Sequence, residues 1–199
     1  MPRETYSITA TDIFPLEKWG AQRKQQRTAI SVLKANRRMA IGPHATLYFE
    51  NWDTMWYQVQ EMLWIEKGGA EQLADELSAY NPLIPKGDEL SATFMIEIPD
   101  EAKRRAILAQ LGGIEQHIGI MIGAERIAAT WETDLDRTTA DGKTSAIHFL
   151  HFPFTGSQIA AFTSGAEVMV RIDHPNYGHA AIMPNAVRDA LAEDFRIIA

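Results

Sequence analysis

The segment Asp173-His174-Pro175-Asn176-Tyr177-Gly178-His179 places two imidazoles, a phenol and a carboxylate within seven residues. It follows a strand-like run, and its Pro, Asn and Gly make it a turn. A histidine there can act as acid, base or metal ligand, with Asp173 orienting it. His174, Tyr177, His179 and Asp173 are therefore the candidate catalytic groups, and His174, His179 and Glu61 the candidate metal ligands. The same segment also reads as a plain turn, with Asp173 closing an Asx-type bond and both histidines exposed. His148 and His151 lie three apart on one expected strand, so they point to opposite faces and do not suit one ion.

A second cluster comprises Glu50, Gln58, Glu61 and Glu66. Gln58 and Glu61 are three apart on an expected helix, so their side chains are neighbours. Carboxylates from two elements can hold a hard cation, and one with a raised pKa can move a proton. The alternative is a buried polar network in which Arg37 or Arg38 answers Glu50 or Glu61. There is no Glu-x-x-His pair, no His-Glu-x-x-His, and no phosphate-loop, dinucleotide or serine-nucleophile signature. The chain has no cysteine, which excludes disulfides, thiolate metal sites and cysteine nucleophiles. No cofactor and no reaction follow from these residues.

Charge is unevenly placed. Residues 1–38 hold eight of the 19 basic residues and three of the 26 acidic ones, leaving 11 basic and 23 acidic for the rest of a chain of net charge −7. A basic arm facing an acidic body can bind an anion or an acidic partner, or dock on its own body or on a second copy. Little aromatic or glycine residue interleaves the arm, which disfavours nucleic acid. Arg23, Arg27, Arg37, Arg38, Gln58 and Glu61 form the candidate ligand-binding set.

The elements that must position these groups read as follows. A helix is expected over residues 15–36, opened by Pro15, then a strand pair over 39–50 broken at Gly42-Pro43. A helix after Asn51 carries Trp52, Met55, Trp56, Val59, Met62 and Leu63 on one wide apolar face, with Trp56 and Val59 in the core and Gly68-Gly69 as its stop. Gln58 and Glu61 on that helix then need internal partners. A further helix spans 70–80. Ser91-Ala92-Thr93-Phe94-Met95-Ile96-Glu97-Ile98-Pro99 then aligns with Ser145-Ala146-Ile147-His148-Phe149-Leu150-His151-Phe152-Pro153. Each is followed by a helical run, glycine and a further strand, at 118–122 and 168–172.

The expected fold is α+β. A helical N-terminal half, 1–86, precedes two β-α-β-β pseudo-repeats, 87–132 and 145–199, the latter ending in a C-terminal helix. They form a mainly antiparallel sheet with helices packed on it, in one domain, with 133–144 as the loop between repeats. No basic segment followed by an apolar run opens the chain, and the longest apolar run, 118–124, falls far short of a span. A soluble cytoplasmic protein without membrane contact is expected. The aromatic-rich helix leaves room for a homodimer.

Arg37-Arg38, Gly42-Pro43, Phe49-Glu50-Asn51, Gln58-Val59-Gln60-Glu61-Met62-Leu63, Tyr80-Asn81-Pro82-Leu83-Ile84-Pro85 and Asp173-His174-Pro175-Asn176-Tyr177 resemble a bacterial family of unknown function whose members are about this long. Phe-Glu-Asn followed by Gln-x-Gln-Glu-Met is the more specific part. Genes of that family often neighbour rubrerythrin and an iron–sulfur oxidoreductase related to heterodisulfide reductase. The resemblance thus implies an accessory role in redox or oxidative-stress defence, with a redox protein as partner or a small anionic ligand. It also implies a basic residue where this chain has Trp64, and so a different ion pairing near Glu61. The alternative expectation is a metal-dependent enzyme or metal-binding protein built on the loop histidines and a helix carboxylate.

Overall fold

The computed structural model describes residues 5–131 and 143–195. Most of the expected loop at 133–144 lies outside the described residues. Helix α1 (Leu16–Ala35) follows Pro15, and a hairpin of β1 (Arg38–Ile41) and β2 (Ala45–Glu50) turns at Gly42-Pro43. Helix α2 (Trp52–Glu66) starts with a reciprocal cap: the Asn51 side chain accepts the Thr54 N–H at 3.0 Å, and Thr54 Oγ1 accepts the Asn51 N–H at 2.9 Å. Its left-handed C-terminal residue is Lys67, at φ 56°, rather than either glycine. Gly68 instead precedes the first residue of α3 (Gly69–Tyr80).

Two β-α-β-β units follow: β3 (Glu89–Ile96), α4 (Glu101–Leu108), β4 (Ile118–Ile122) and β5 (Glu125–Ala128), then β6 (Ile147–Pro153), α5 (Gly156–Thr163), β7 (Val168–His174) and β8 (Tyr177–Ile182). Helix α6 (Asn185–Ala192) comes last. The strands form two antiparallel four-stranded sheets rather than one, in the orders β1-β2-β3-β6 and β5-β4-β7-β8. Each repeat is divided between them. Phe94 lies opposite His148 in the first sheet and Ile120 opposite Val170 in the second. In the aligned repeats these are equivalent positions, so one approximate twofold relates the units through both sheets.

Thr130 bridges to His151, which brings the end of β5 to β6. At the other junction, Tyr177 of β8 reaches the β1–β2 turn. The strands therefore surround one apolar core that includes Leu47, Phe94, Ile120, Phe152 and Val170. Phe162 of α5 and Phe195 just beyond α6 add to it, in mutual ring contact with Phe154 after β6. A second core lies outside the first sheet, where Trp52, Met55, Val59 and Leu63 of α2 meet Ile8, Leu83 and Ile84, with Phe149 of β6 packed against them. Val59 is fully buried as expected. Trp56 is only half-buried, because its Nε1–H must reach the Asp12 carbonyl at 2.8 Å and its ring joins Phe14, Trp19 and Trp52 between α1 and α2.

Arg37 ties these parts together from the interior. Its Nε–H donates to Phe49 O (3.1 Å), Nη1 to Ala190 O (3.3 Å) and Nη2 to Glu50 O (3.0 Å), and it pairs with the buried Asp194 carboxylate. The expected answer of Arg37 to a glutamate side chain is replaced by main-chain carbonyls and an aspartate 157 residues away. Burial pushes the Asp194 carboxyl up, and the Arg37 charge opposes that shift.

Tyr177 is the second long-range tie. Its hydroxyl accepts the N–H groups of His44 (2.9 Å) and Ala45 (3.0 Å) and donates to Ile41 O (2.9 Å). Gly42 holds φ 72° here, and a Cβ would meet the His179 ring at 2.6 Å. Tyr177→Phe leaves two donors and one acceptor without this partner, at a cost of about 1–3 kcal/mol. The urea midpoint should fall with m unchanged; an unchanged midpoint would show that the clasp is energetically idle.

Candidate functional site

The structure distributes the loop candidates among separate structural tasks. His174 is buried. Its Nδ1 accepts the Asn176 N–H at 3.2 Å and its Nε2 lies 3.3 Å from Gly112 O, which assigns the neutral Nε2–H tautomer. Its ring meets His117 edge-on at 5.0 Å. Tyr177 and His179 meet edge-on, with ring centroids 4.5 Å apart, and face the β1–β2 turn. Asp173 points elsewhere: Arg126 Nη1 lies at 3.0 Å, His117 Nδ1 at 3.8 Å and Arg171 Nε at 3.9 Å from its carboxylate. It orients neither histidine of its own loop, and the expected Asx-type closure is replaced by the ion pair with Arg126.

Glu61 lies in another setting, on the face of α2 that meets α1. Its Oε1 accepts from Trp19 Nε1 (3.0 Å) and Arg23 Nε (2.8 Å), and its Oε2 accepts from Arg23 Nη2 (2.8 Å). This is the two-pronged geometry that guanidinium and carboxylate favour. The Arg23 hydrogen bonds hold the Glu61 carboxyl below its ordinary value against the opposing effect of burial, and Trp19 adds to them. Arg23 is held above its usual range by the same bond. Burial raises the neighbouring Tyr57 phenol, and the Glu61 charge adds to that.

The internal partner of Glu61 is thus Arg23, and that of Gln58 is the Tyr80 hydroxyl at 3.5 Å. Glu50 accepts from Thr93 Oγ1 (2.8 Å), and Glu66 from Gln72 Nε2 (3.0 Å). Glu61, His174 and His179 are not brought together. Among the described residues, no group of three or more His, Asp or Glu side chains is placed to hold a metal ion.

Trp64 lies against α1, where a Cβ on Gly20 would come within 2.7 Å of its indole. Arg23 and Lys67 approach that ring at 6.0 and 5.9 Å, so cations face position 64 from α1 and from the end of α2. Helix α1 buries only Trp19 and Ile30. Arg23, Arg27 and Lys34, at i, i+4 and i+11, share one flank of it. Lys24 and Arg27 are exposed and Lys34 half-exposed, and none of the three forms an ion pair among the described residues. Arg38 is exposed on β1.

Three features had no signal in the sequence. His151 Nδ1 lies 3.1 Å from Glu89 Oε2, a pairing set by the register of β3 and β6. His148 Nδ1 lies 3.5 Å from Glu115 Oε2 in the interior. A cavity of about 430 Å³ opens between α1, the start of α2 and the end of α6, lined by Leu33, Arg37, Asn51, Trp52, Ile84 and Asp194 among others. All three depend on contacts between elements far apart in sequence.

Fold and site thus define an α+β protein of two antiparallel sheets carrying a cationic helix, with His148, His151 and His174 held in structural contacts. The chain belongs to the DUF3501 family of proteins of unknown function, whose model matches residues 7–195. It is similar to the crystal structure of a protein of unknown function from Burkholderia pseudomallei K96243, at 37% identity and a TM-score of 0.89, over 96% of this chain and 100% of that one. No curated protein matches. No helix among the described residues is long and apolar enough to cross a membrane.

The sign of the Glu61 shift fixes a pH dependence. A carboxyl depressed in the folded state stabilises above its unfolded value of about 4.5, and that contribution is lost as pH falls through the folded value. Glu61→Gln should therefore lower stability at neutral pH and flatten the acid limb of a stability–pH curve. Parallel wild-type and variant curves would refute the role assigned to this pair.

Proposed function

We infer that this protein is a binding accessory rather than a catalyst, and that α1 engages an acidic surface on a partner protein. The observation that carries this reading is the set of cations Lys24, Arg27 and Lys34 along α1, without ion pairs among the described residues, on a chain whose net charge is −7. Charges of one sign on a projecting helix attract a complementary surface and speed encounter with it. Arg23 serves differently: its guanidinium is engaged by Glu61, so it anchors the helix and leaves the contact to its neighbours. Arg37 is internal for the same reason. The exposed residues around the cations include Ala21, Gln25, Thr28, Ser31 and Val32 and no aromatic, which favours a protein partner over a single-stranded nucleic acid.

The setting follows from the motif resemblance. Genes of the resembled family often neighbour those for rubrerythrin and an iron–sulfur oxidoreductase, which supports a cytoplasmic redox or peroxide-defence setting and makes those proteins the partners to examine first. A metal-dependent reaction at His174, His179 and Glu61 has no shared site to draw on.

The test is a titration of the protein against purified rubrerythrin and, separately, the iron–sulfur oxidoreductase, at low and high salt. Wild type should bind one of them more weakly as salt rises. Lys24→Glu/Arg27→Glu/Lys34→Glu should bind about tenfold more weakly or worse, with an unchanged melting temperature. Binding that the triple variant retains in full, or wild type that binds neither protein, would overturn the reading.

A further inference from the structure

The outward face of the second sheet is arranged in rows. Arg126, Met121, Met169 and Ile182 stand opposite one another across β5, β4, β7 and β8. The next row is Ala128, Gly119, Arg171 and Ala180, and a third begins with Asp173 and Gly178. Ile182 is 59% exposed and the Arg171 side chain 58% exposed, while Met121 and Met169 are half-buried. The small residues of the middle row leave Arg171 standing from a flat surface. Arg126 lies across Gly119, where a Cβ would meet its Nε at 2.7 Å, and so reaches Asp173. Glu167 is exposed just before β7 and is on the same face as Met169 and Arg171 by alternation.

We propose that this face pairs with the same face of a second copy of the chain. A twofold interface must be complementary to itself, so it needs both charge signs and an apolar centre. The flank of α1 carries one sign and fails that condition. The sheet face meets it through Glu167, Met169 and Arg171, which are spaced evenly along β7. An axis running across the sheet at the row of Met121, Met169 and Ile182 stacks each of these on its own counterpart, while Arg126 at the end of that row turns over Gly119 to Asp173 and carries its guanidinium off the axis. The same axis sets Arg171 of each copy opposite Glu167 of the other. Two sheets packed this way lie about 10 Å apart, within reach of methionine and arginine side chains. Four strands about 4.8 Å apart and about five residues long give a footprint of roughly 300 Å². That is small for a permanent interface, so the dimer exchanges with monomer as concentration falls. Helix α1 takes no part, which makes loss of the dimer separable from loss of partner binding.

Sedimentation equilibrium over a concentration series tests this, with circular dichroism and melting as controls for folding. Wild type should shift from monomer to dimer with rising concentration. Arg171→Glu and Glu167→Arg should each remain monomeric where wild type dimerises, because each sets like charges against one another. The double variant Glu167→Arg/Arg171→Glu should recover part of the dimerisation, since the pair across the axis is exchanged while the contact of residue 171 with Asp173 is given up. Ile182→Lys, on the exposed end of the apolar row, should also be monomeric and requires no change at Asp173. A wild type that stays monomeric throughout would overturn the proposal. So would a dimer that survives all three single substitutions, or singles that dissociate without recovery in the double variant.

Discussion

Each repeat gives its first strand to one sheet and its last two to the other, and this division is the constraint on which the fold rests. A repeat alone would leave β3 or β6 without its central neighbour, and likewise β4 or β7. Unpaired main-chain groups in a buried strand are costly, so neither unit can close its own hydrogen bonding without its counterpart. The approximate twofold through Phe94–His148 and Ile120–Val170 expresses this mutual dependence. The N-terminal half breaks the symmetry. Its hairpin extends the first sheet beyond β3, and α2 then covers that sheet's outer face. The corresponding face of the second sheet stays uncovered at Arg171 and Ile182.

Charge is used in two ways. Where arginines are enclosed or bidentate, as at Arg37 and Arg23, they join elements that are distant in sequence through directed hydrogen bonds. Removing one member of such a pair exposes the full cost of the other, which makes these contacts determinants of geometry more than of net stability. Where cations have no such partner, as along α1, they set the field around the molecule instead. A basic count over residues 1–38 merges the two groups. Only the positions of Trp19 and Glu61 separate the anchoring arginine from its exposed neighbours.

Local signals in the sequence described the elements well. The Asn51 cap, the Pro15 start and the Gly42-Pro43 turn each act within a few residues and appear where chain chemistry places them. The duplicated strand motif gave the β-α-β-β units for the same reason. The partition into two sheets was not legible, because strand pairing is decided by contacts that no single segment contains. Site chemistry was less legible still. Seven residues rich in His, Tyr and Asp looked like a reaction centre. Yet Asp173 faces Arg126, His174 caps Gly112 and Tyr177 closes a turn more than 130 residues upstream. Proximity in sequence held, and orientation, which decides chemistry, came from the sheets.

The Tyr177 clasp bears on how the chain is made. The β1–β2 turn and its lock are separated by 133 residues at His44 and 136 at Ile41. During synthesis the turn leaves the ribosome long before Tyr177 exists. Through that interval the His44 and Ala45 N–H groups have only water or a foreign carbonyl to bind, and the nascent hairpin carries an unprotected strand edge. A partly translated chain therefore carries this turn without its clasp until Tyr177 has been added and folded back on it.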